Sequence, residues 1–145
     1  SIALSAGTLD NTRGQLTAVQ HLQLRSAALL DNTEGEIASA RGLDLAAGSL
    51  LNAQGNIQSG AGLEMQAQAL HNLAGRIHAA GDAHIEAGEL RNTGNVYAGG
   101  SQQLSVDASL VNSGTMAAAG DLIASAGRIQ NGARRVVPPG GRAGG

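Results

Sequence analysis

The sequence LDNTEGEIAS at residues 30–39, followed by LDLAA at residues 43–47, is one complete copy of the unit that decides the fold. Its pattern is L-x-N-x-x-G-x-I-x-A, a short link, and then L-x-L-x-A. Further copies precede and follow it at a spacing close to 20 residues. Self-similarity at a fixed period of this length is typical of a solenoid, in which each copy forms one coil.

Asparagine marks the period most clearly. Successive members of the series are 21, 20, 20, 20, 20 and 19 residues apart, and only Asn56 and Asn95 fall outside it. The series consists of Asn11, Asn32, Asn52, Asn72, Asn92, Asn112 and Asn131. A glycine follows each of the first six after two or three residues, at Gly14, Gly35, Gly55, Gly75, Gly94 and Gly114. Asparagine at a bend adopts left-handed dihedrals readily, and stacked amides can bond to one another when turned inward. We therefore predict structural Asn and Gly columns rather than a row of ligand-binding amides.

Apolar and polar residues alternate within both halves of the unit, which indicates short strands with one buried face. The predicted fold is all-β, a right-handed parallel β-helix of about six 20-residue coils over residues 1–131. The handedness follows from the rule for parallel crossovers. In the coil that ends at Asn112, the pattern assigns Leu104, Val106 and Ala108 to the L-x-L-x-A positions. A leucine-rich repeat is the competing solenoid, but there Asn follows the L-x-L segment.

Composition supports thin, repetitive coils. The 145 residues include 22 glycines, 27 alanines and a single aromatic residue, Tyr97, so that no ordinary core of large rings can form. The formal net charge of −2 makes nucleic acid an unfavourable partner, and no apolar run is long enough to span a membrane. The absence of cysteine excludes disulfides and thiolate metal sites. Residues 132–145 lack the alternation and are predicted to be an Arg/Pro/Gly-rich linker or tail, whose three arginines could touch an anionic surface.

The repeats at residues 30–48 resemble the haemagglutinin repeat of filamentous haemagglutinin and related two-partner-secretion exoproteins. The resemblance covers nearly the whole chain. It implies a shaft segment of a secreted or surface-exposed bacterial adhesin, exported through an outer-membrane transporter partner and directed at a receptor or glycan on a host or bacterial surface. Contact-dependent growth inhibition toxins share such shafts, so a toxin-delivery stalk is an alternative. The family's amino-terminal secretion domain and an Arg-Gly-Asp triplet are missing from this sequence, which therefore resembles an excerpt of a shaft.

The outward columns hold the candidate surface sites. The predicted register stacks Asp44 on Glu64 and Glu86 on Asp107, with His84 beside them, which forms a weakly acidic stripe that could bind a cation or a basic partner. A solvated face is the simpler interpretation, because no column keeps one chemistry for more than two coils.

Neither a metal site nor an active site is expected. The metal-ligating residue types His71, His78, Asp82 and His84 lack a spacing that fixes a metal, and we expect no cofactor. A carbohydrate-active β-helix enzyme is the second functional class. It would need clustered carboxylates in a groove walled by long loops, and coils of 19 to 21 residues leave no such loops.

Overall fold

The computed structural model describes residues 2–131 and consists there of strands joined by short turns. In chain order the thirteen strands are β1 (Ile2–Asp10), β2 (Gln15–Ala18), β3 (Leu22–Asp31), β4 (Glu36–Ser39), β5 (Leu43–Leu51), β6 (Asn56–Ser59), β7 (Leu63–Asn72), β8 (Arg76–Ala79), β9 (Ala83–Asn92), β10 (Asn95–Ala98), β11 (Gln102–Asn112), β12 (Thr115–Ala118) and β13 (Leu122–Gln130). Long and short strands alternate along the chain.

The strands form two parallel sheets. The seven odd-numbered strands form a long sheet in the order β1-β3-β5-β7-β9-β11-β13, and the six even-numbered strands form a short sheet in the order β2-β4-β6-β8-β10-β12. Each strand therefore pairs with the equivalent strand of the next coil, and one coil contains one long and one short strand. This confirms the predicted all-β parallel solenoid of about six 20-residue coils, while its right-handedness stays a prediction. The proposed tail at 132–145 lies outside the described residues.

Aliphatic side chains stacked coil upon coil fill the space between the sheets. On the short sheet, Ile37, Ile57 and Ile77 pair in one column, and all three are fully buried. On the long sheet, Leu45 and Met65 pair in a facing column. Such layers bury apolar area with aliphatic side chains of similar size. This explains how the chain forms a core without large aromatic rings.

Serine replaces alanine in one buried column without leaving a polar group unpaired. Ser59 lies between Ser39 and Ala79 in the short sheet and is almost fully buried. Its hydroxyl donates to the backbone carbonyl of Gly62 at 2.6 Å. The bond lies within the turn that leads to the next long strand, so it fixes that turn as well as satisfying the hydroxyl.

One predicted register is wrong. In β11, Leu104 pairs with Ile85 and Val106 pairs with Ala87, so the inward positions are Gln102, Leu104 and Val106 rather than Leu104, Val106 and Ala108. All of these β11 residues occupy alternate positions of the sequence. The two registers therefore bury the same face and differ only in which residues of the neighbouring coil they pair with. The buried Gln102 is held by a bond from its Nε2 to the carbonyl of Ala117 on the opposite sheet, at 2.9 Å.

Two local variations explain why the asparagine spacing changes. The turns after Asn92 and Asn112 contain one residue fewer than the earlier turns, which shortens a coil by one. A bulge after Ser26 in β3 and another after Val106 in β11 each add one residue. Coil lengths are counted from one asparagine of the series to the next. The first coil has a bulge alone and measures 21 residues. The fifth has both changes and measures 20, and the last has the short turn alone and measures 19.

Candidate functional site

The predicted asparagine column is a continuous ladder of side-chain amides inside the solenoid. Each Nδ2 donates to the Oδ1 of the asparagine in the next coil. The six bonds measure 2.7 Å from Asn11 to Asn32, 2.9 Å from Asn32 to Asn52, 2.7 Å from Asn52 to Asn72, 2.7 Å from Asn72 to Asn92, 2.8 Å from Asn92 to Asn112 and 2.8 Å from Asn112 to Asn131. Four central members have no exposed surface: Asn32, Asn52, Asn72 and Asn92.

The second proton of each central amide also has an acceptor. Asn52 Nδ2 lies 3.2 Å from the carbonyl oxygen of Arg76, and Asn72 Nδ2 lies 3.1 Å from that of Asn95. Each amide therefore ties its strand to the next coil twice, once through a side chain and once through the backbone of the short sheet. Amides with both protons and the oxygen engaged have no free hydrogen-bonding group to offer a ligand.

The neighbouring coil approaches closely at the glycines that follow Asn32, Asn52 and Asn72. A Cβ atom added at Gly35, Gly55 or Gly75 would overlap the backbone carbonyl oxygen of the asparagine in the preceding coil. In the first four turns, the left-handed conformation belongs to the residue just before the glycine. In the described chain the residues other than glycine with positive φ are Arg13, Glu34, Gln54 and Ala74, with φ between 55° and 57°. The asparagines do not use the left-handed conformation that their residue type tolerates; they lie at or next to the ends of long strands and turn their amides inward.

The acidic stripe is only partly present as predicted. Asp44 does pair with Glu64 in the long sheet, and Glu64 pairs with His84. The predicted stacking of Glu86 on Asp107 was wrong, since Glu86 pairs with Ser105 in the corrected register. Asp107 lies within the bulge of β11, one residue past the last regular pair.

Neighbouring side chains contact two of the carboxylates of the stripe. Asp44 Oδ2 lies 3.0 Å from His21 Nε2, and Glu86 accepts a bond from Gln66 Nε2 at 3.2 Å. His84 Nε2 lies 3.5 Å from the other Glu86 oxygen. In the part of the chain that the structure describes, no three His, Cys, Asp or Glu side chains come together as a group that could hold a metal ion.

A shallow groove of about 860 Å³ runs along the outside of the long sheet, across the coils from β1 to β11. Small residues at the bend of each long strand, among them Ser26, Ala47 and Ala67, contribute to its lining. Among the described residues that line it, Glu86 and Asp107 are the only carboxylates, and Glu86 is already engaged by Gln66. The lining therefore offers space for an extended molecule but no cluster of free carboxylates for hydrolysis.

The candidate histidines are divided between the two sheets, with His71 and His84 on the long sheet and His78 on the short sheet. His71 on β7 lies 3.5 Å from Glu89 of the next coil, whereas His78 lies on the short sheet. There, its ring stacks on that of Tyr97 with centroids 5.1 Å apart and an angle of 7° between the planes. The stack was not predicted, although the sequence contains its signal: His78 and Tyr97 each lie three residues after a column glycine, Gly75 or Gly94. The short turn after Asn92 brings the two residues into register.

Thr12 shifts the titration of one exposed carboxyl beside the ladder. The Thr12 hydroxyl and then its backbone N–H donate to Asp10 Oδ1, and both bonds hold the pKa of Asp10 below its ordinary value of 3.8. The arrangement recurs one coil later, where Thr33 bonds Asp31 in the same way. These contacts fix the entry to the first two turns.

Comparison with known proteins gives a family for these coils. The family model described as haemagglutinin repeat matches residues 1–40 and again residues 38–133. No curated protein and no solved structure matches the chain significantly. Within residues 2–131 the structure has no helix of the length and hydropathy needed to cross a membrane.

Proposed function

Because the chain belongs to the haemagglutinin repeat family, we propose that it is a length of shaft in a secreted or surface-exposed bacterial adhesin of the filamentous-haemagglutinin type. The haemagglutinin repeat is a structural, adhesin-type repeat and not a known enzyme family. The role proposed for these coils is to hold an adhesive part of the protein away from the bacterial surface, without catalysis of their own.

The uninterrupted asparagine ladder is the observation that carries this proposal. It links every coil from Asn11 to Asn131 through bonds of the same kind, while both sheets continue alongside it. In such a stack each coil is stabilised by its neighbours, so the rod can be lengthened by adding copies without a new kind of contact. Six coils at the usual strand spacing of about 4.8 Å give a rod of about 30 Å.

Export through an outer-membrane transporter partner and attachment to a receptor or glycan belong to the same proposal. A thin stack without cysteine suits export as an extended chain, because no disulfide has to be broken or formed on the way. Coils that gain their stability from neighbouring coils can then fold progressively as they emerge.

Antibodies to the purified chain test the proposed location. In the bacterium that produces the protein, they should label intact cells or the culture supernatant. Labelling that appears only after lysis would contradict the proposal. A cytoplasmic marker stained in parallel controls for cell integrity.

Excision of one coil tests the shaft role itself. Deleting residues 53–72 removes one 20-residue step and joins Asn52 to the segment that follows Asn72. We expect the shortened chain to keep its β-sheet circular dichroism and cooperative unfolding, whereas deletion of residues 53–62 should abolish both. A shaft role would be refuted if both deletions had the same effect.

A further inference from the structure

The most distinctive outward feature of the short sheet is the ring stack of His78 and Tyr97. Tyr97 is the only aromatic residue in the sequence, and 38% of it is exposed. His78 pairs with it from one coil, and Ala117 pairs with it from the other. His78 covers one face of the phenol ring. The other face is on the side of the next coil, where the neighbouring residue is Ala117 with its methyl side chain.

A pocket of about 370 Å³ extends along this outward face of the short sheet, from Gln58 past the two rings to Ala117. Its lining includes His78, Tyr97 and Ala117 together with a row of polar residues that precede them by two positions on the same strands. That row is Arg76, Asn95 and Thr115, all of them exposed. The volume falls in the range of roughly 300–1,000 Å³ that is usual for small-molecule sites. The pocket combines the flat ring of Tyr97, the small side chain of Ala117 and the row of polar residues.

The charges on this face select an anion. Arg76 has no ion-pair partner among the described residues, whereas Arg13 is paired with Glu34 at 3.0 Å. Within residues 2–131, no carboxylate belongs to the lining of the pocket. A cationic ligand would be repelled by Arg76, although the ring face alone would attract it.

We propose that Tyr97, Arg76 and their polar neighbours bind one anionic pyranose residue of a surface glycan. The polarised C–H groups on one face of a sugar ring would pack on the negative face of the phenol, above Ala117. Arg76 would pair with the carboxylate or sulfate of the sugar, and Asn95 and Thr115 would bond its hydroxyls. A single Arg and a single ring make a weak site, with a Kd on the order of 1 mM. The site gives a place and a ligand class to the attachment to a glycan proposed above; it rests on that part of the proposed function and not on the shaft role.

Tyrosine fluorescence tests the site directly, because the chain contains one tyrosine and no tryptophan. The probes are a hyaluronan tetrasaccharide, its carboxyl-reduced neutral form, and a chondroitin sulfate tetrasaccharide. We expect saturable changes in Tyr97 emission with at least one anionic probe and none with the neutral form. Binding of the neutral form with the same affinity would overturn the role of Arg76. No saturable response to any probe at about ten times the expected Kd would overturn the site.

Substitutions separate a specific site from general attraction to a charged rod. Arg76→Gln should weaken the anionic probe about tenfold, whereas Arg91→Gln removes the same charge on the outside of the long sheet and should change nothing. Tyr97→Ala, followed by calorimetry, should abolish binding, with the circular dichroism spectrum as the folding control. Equal losses in the two arginine variants would overturn the proposal. Thermal unfolding is measured on the same samples, so that a failure of the glycan site is distinguished from a failure of the shaft.

Discussion

Removal of one rung from the asparagine ladder should be among the most damaging conservative changes in this protein. Asn52→Ala deletes the donor to Asn72 Oδ1 and the acceptor of Asn32 Nδ2, at 2.7 and 2.9 Å. Both orphaned groups are fully buried. An unsatisfied buried group costs about 1–3 kcal/mol, so the expected loss in free energy of unfolding is about 2–6 kcal/mol.

The double variant makes the prediction sharper. Asn72→Ala alone orphans Asn52 Nδ2 and Asn92 Oδ1. In Asn52→Ala/Asn72→Ala, the groups left unpaired are Asn32 Nδ2 and Asn92 Oδ1, again two rather than four. The double variant should therefore lose about as much stability as either single variant, and far less than their sum.

Urea unfolding followed by circular dichroism measures all three variants. Asn95→Ala is the matched control, since it truncates an exposed asparagine outside the ladder and should change stability by less than about 0.5 kcal/mol. Equal losses for Asn52→Ala and Asn95→Ala would refute the structural role of the ladder. Additive losses in the double variant would refute its description as a chain of mutually satisfying amides.

Three smaller changes probe the turns. Gly55→Ala places a Cβ against a backbone carbonyl of the preceding coil and should cost about 1–3 kcal/mol in thermal unfolding, whereas Gly7→Ala, with nothing within 4 Å, should cost nothing. Ala74→Gly relieves a left-handed φ of 55° and should stabilise the chain by about 1 kcal/mol, and a loss would contradict the strain. The pKa of Asp10 is lowered in the folded chain, so its stabilising effect is present above pH 3.8 and disappears as the pH falls through the folded value. Thr12→Val should move that pKa back toward 3.8 in an NMR titration, and an unchanged pKa would exclude the hydroxyl as its main cause.

The period made the fold predictable because in a parallel solenoid each side chain meets its own equivalent in the next coil. A column of leucine or asparagine is then both a sequence repeat and a spatial contact. The inward stacking of amides could be foreseen from Asn32 and Asn52 for the same reason, since an amide has a donor and an acceptor to offer its copy.

One departure from the period could not be foreseen. The true register of β11 requires burial of Gln102, and the bond that permits it reaches a carbonyl of Ala117 on the other sheet, which leaves no repeated signal in the sequence. The ring stack of His78 and Tyr97 depends on the shortened turn after Asn92. That turn does leave a signal, because His78 and Tyr97 each lie three residues after a glycine of the repeat.

Distances along one outward column test the coil-by-coil stacking most directly. The chain has no cysteine, so pairs of spin labels can be introduced at Gln23 with Asp44, His84 or Gln103, which lie one, three and four coils apart. The account predicts narrow distance distributions whose means rise by about 5 Å for each coil. Distances that are broad, or that do not increase with the number of coils, would contradict the parallel solenoid.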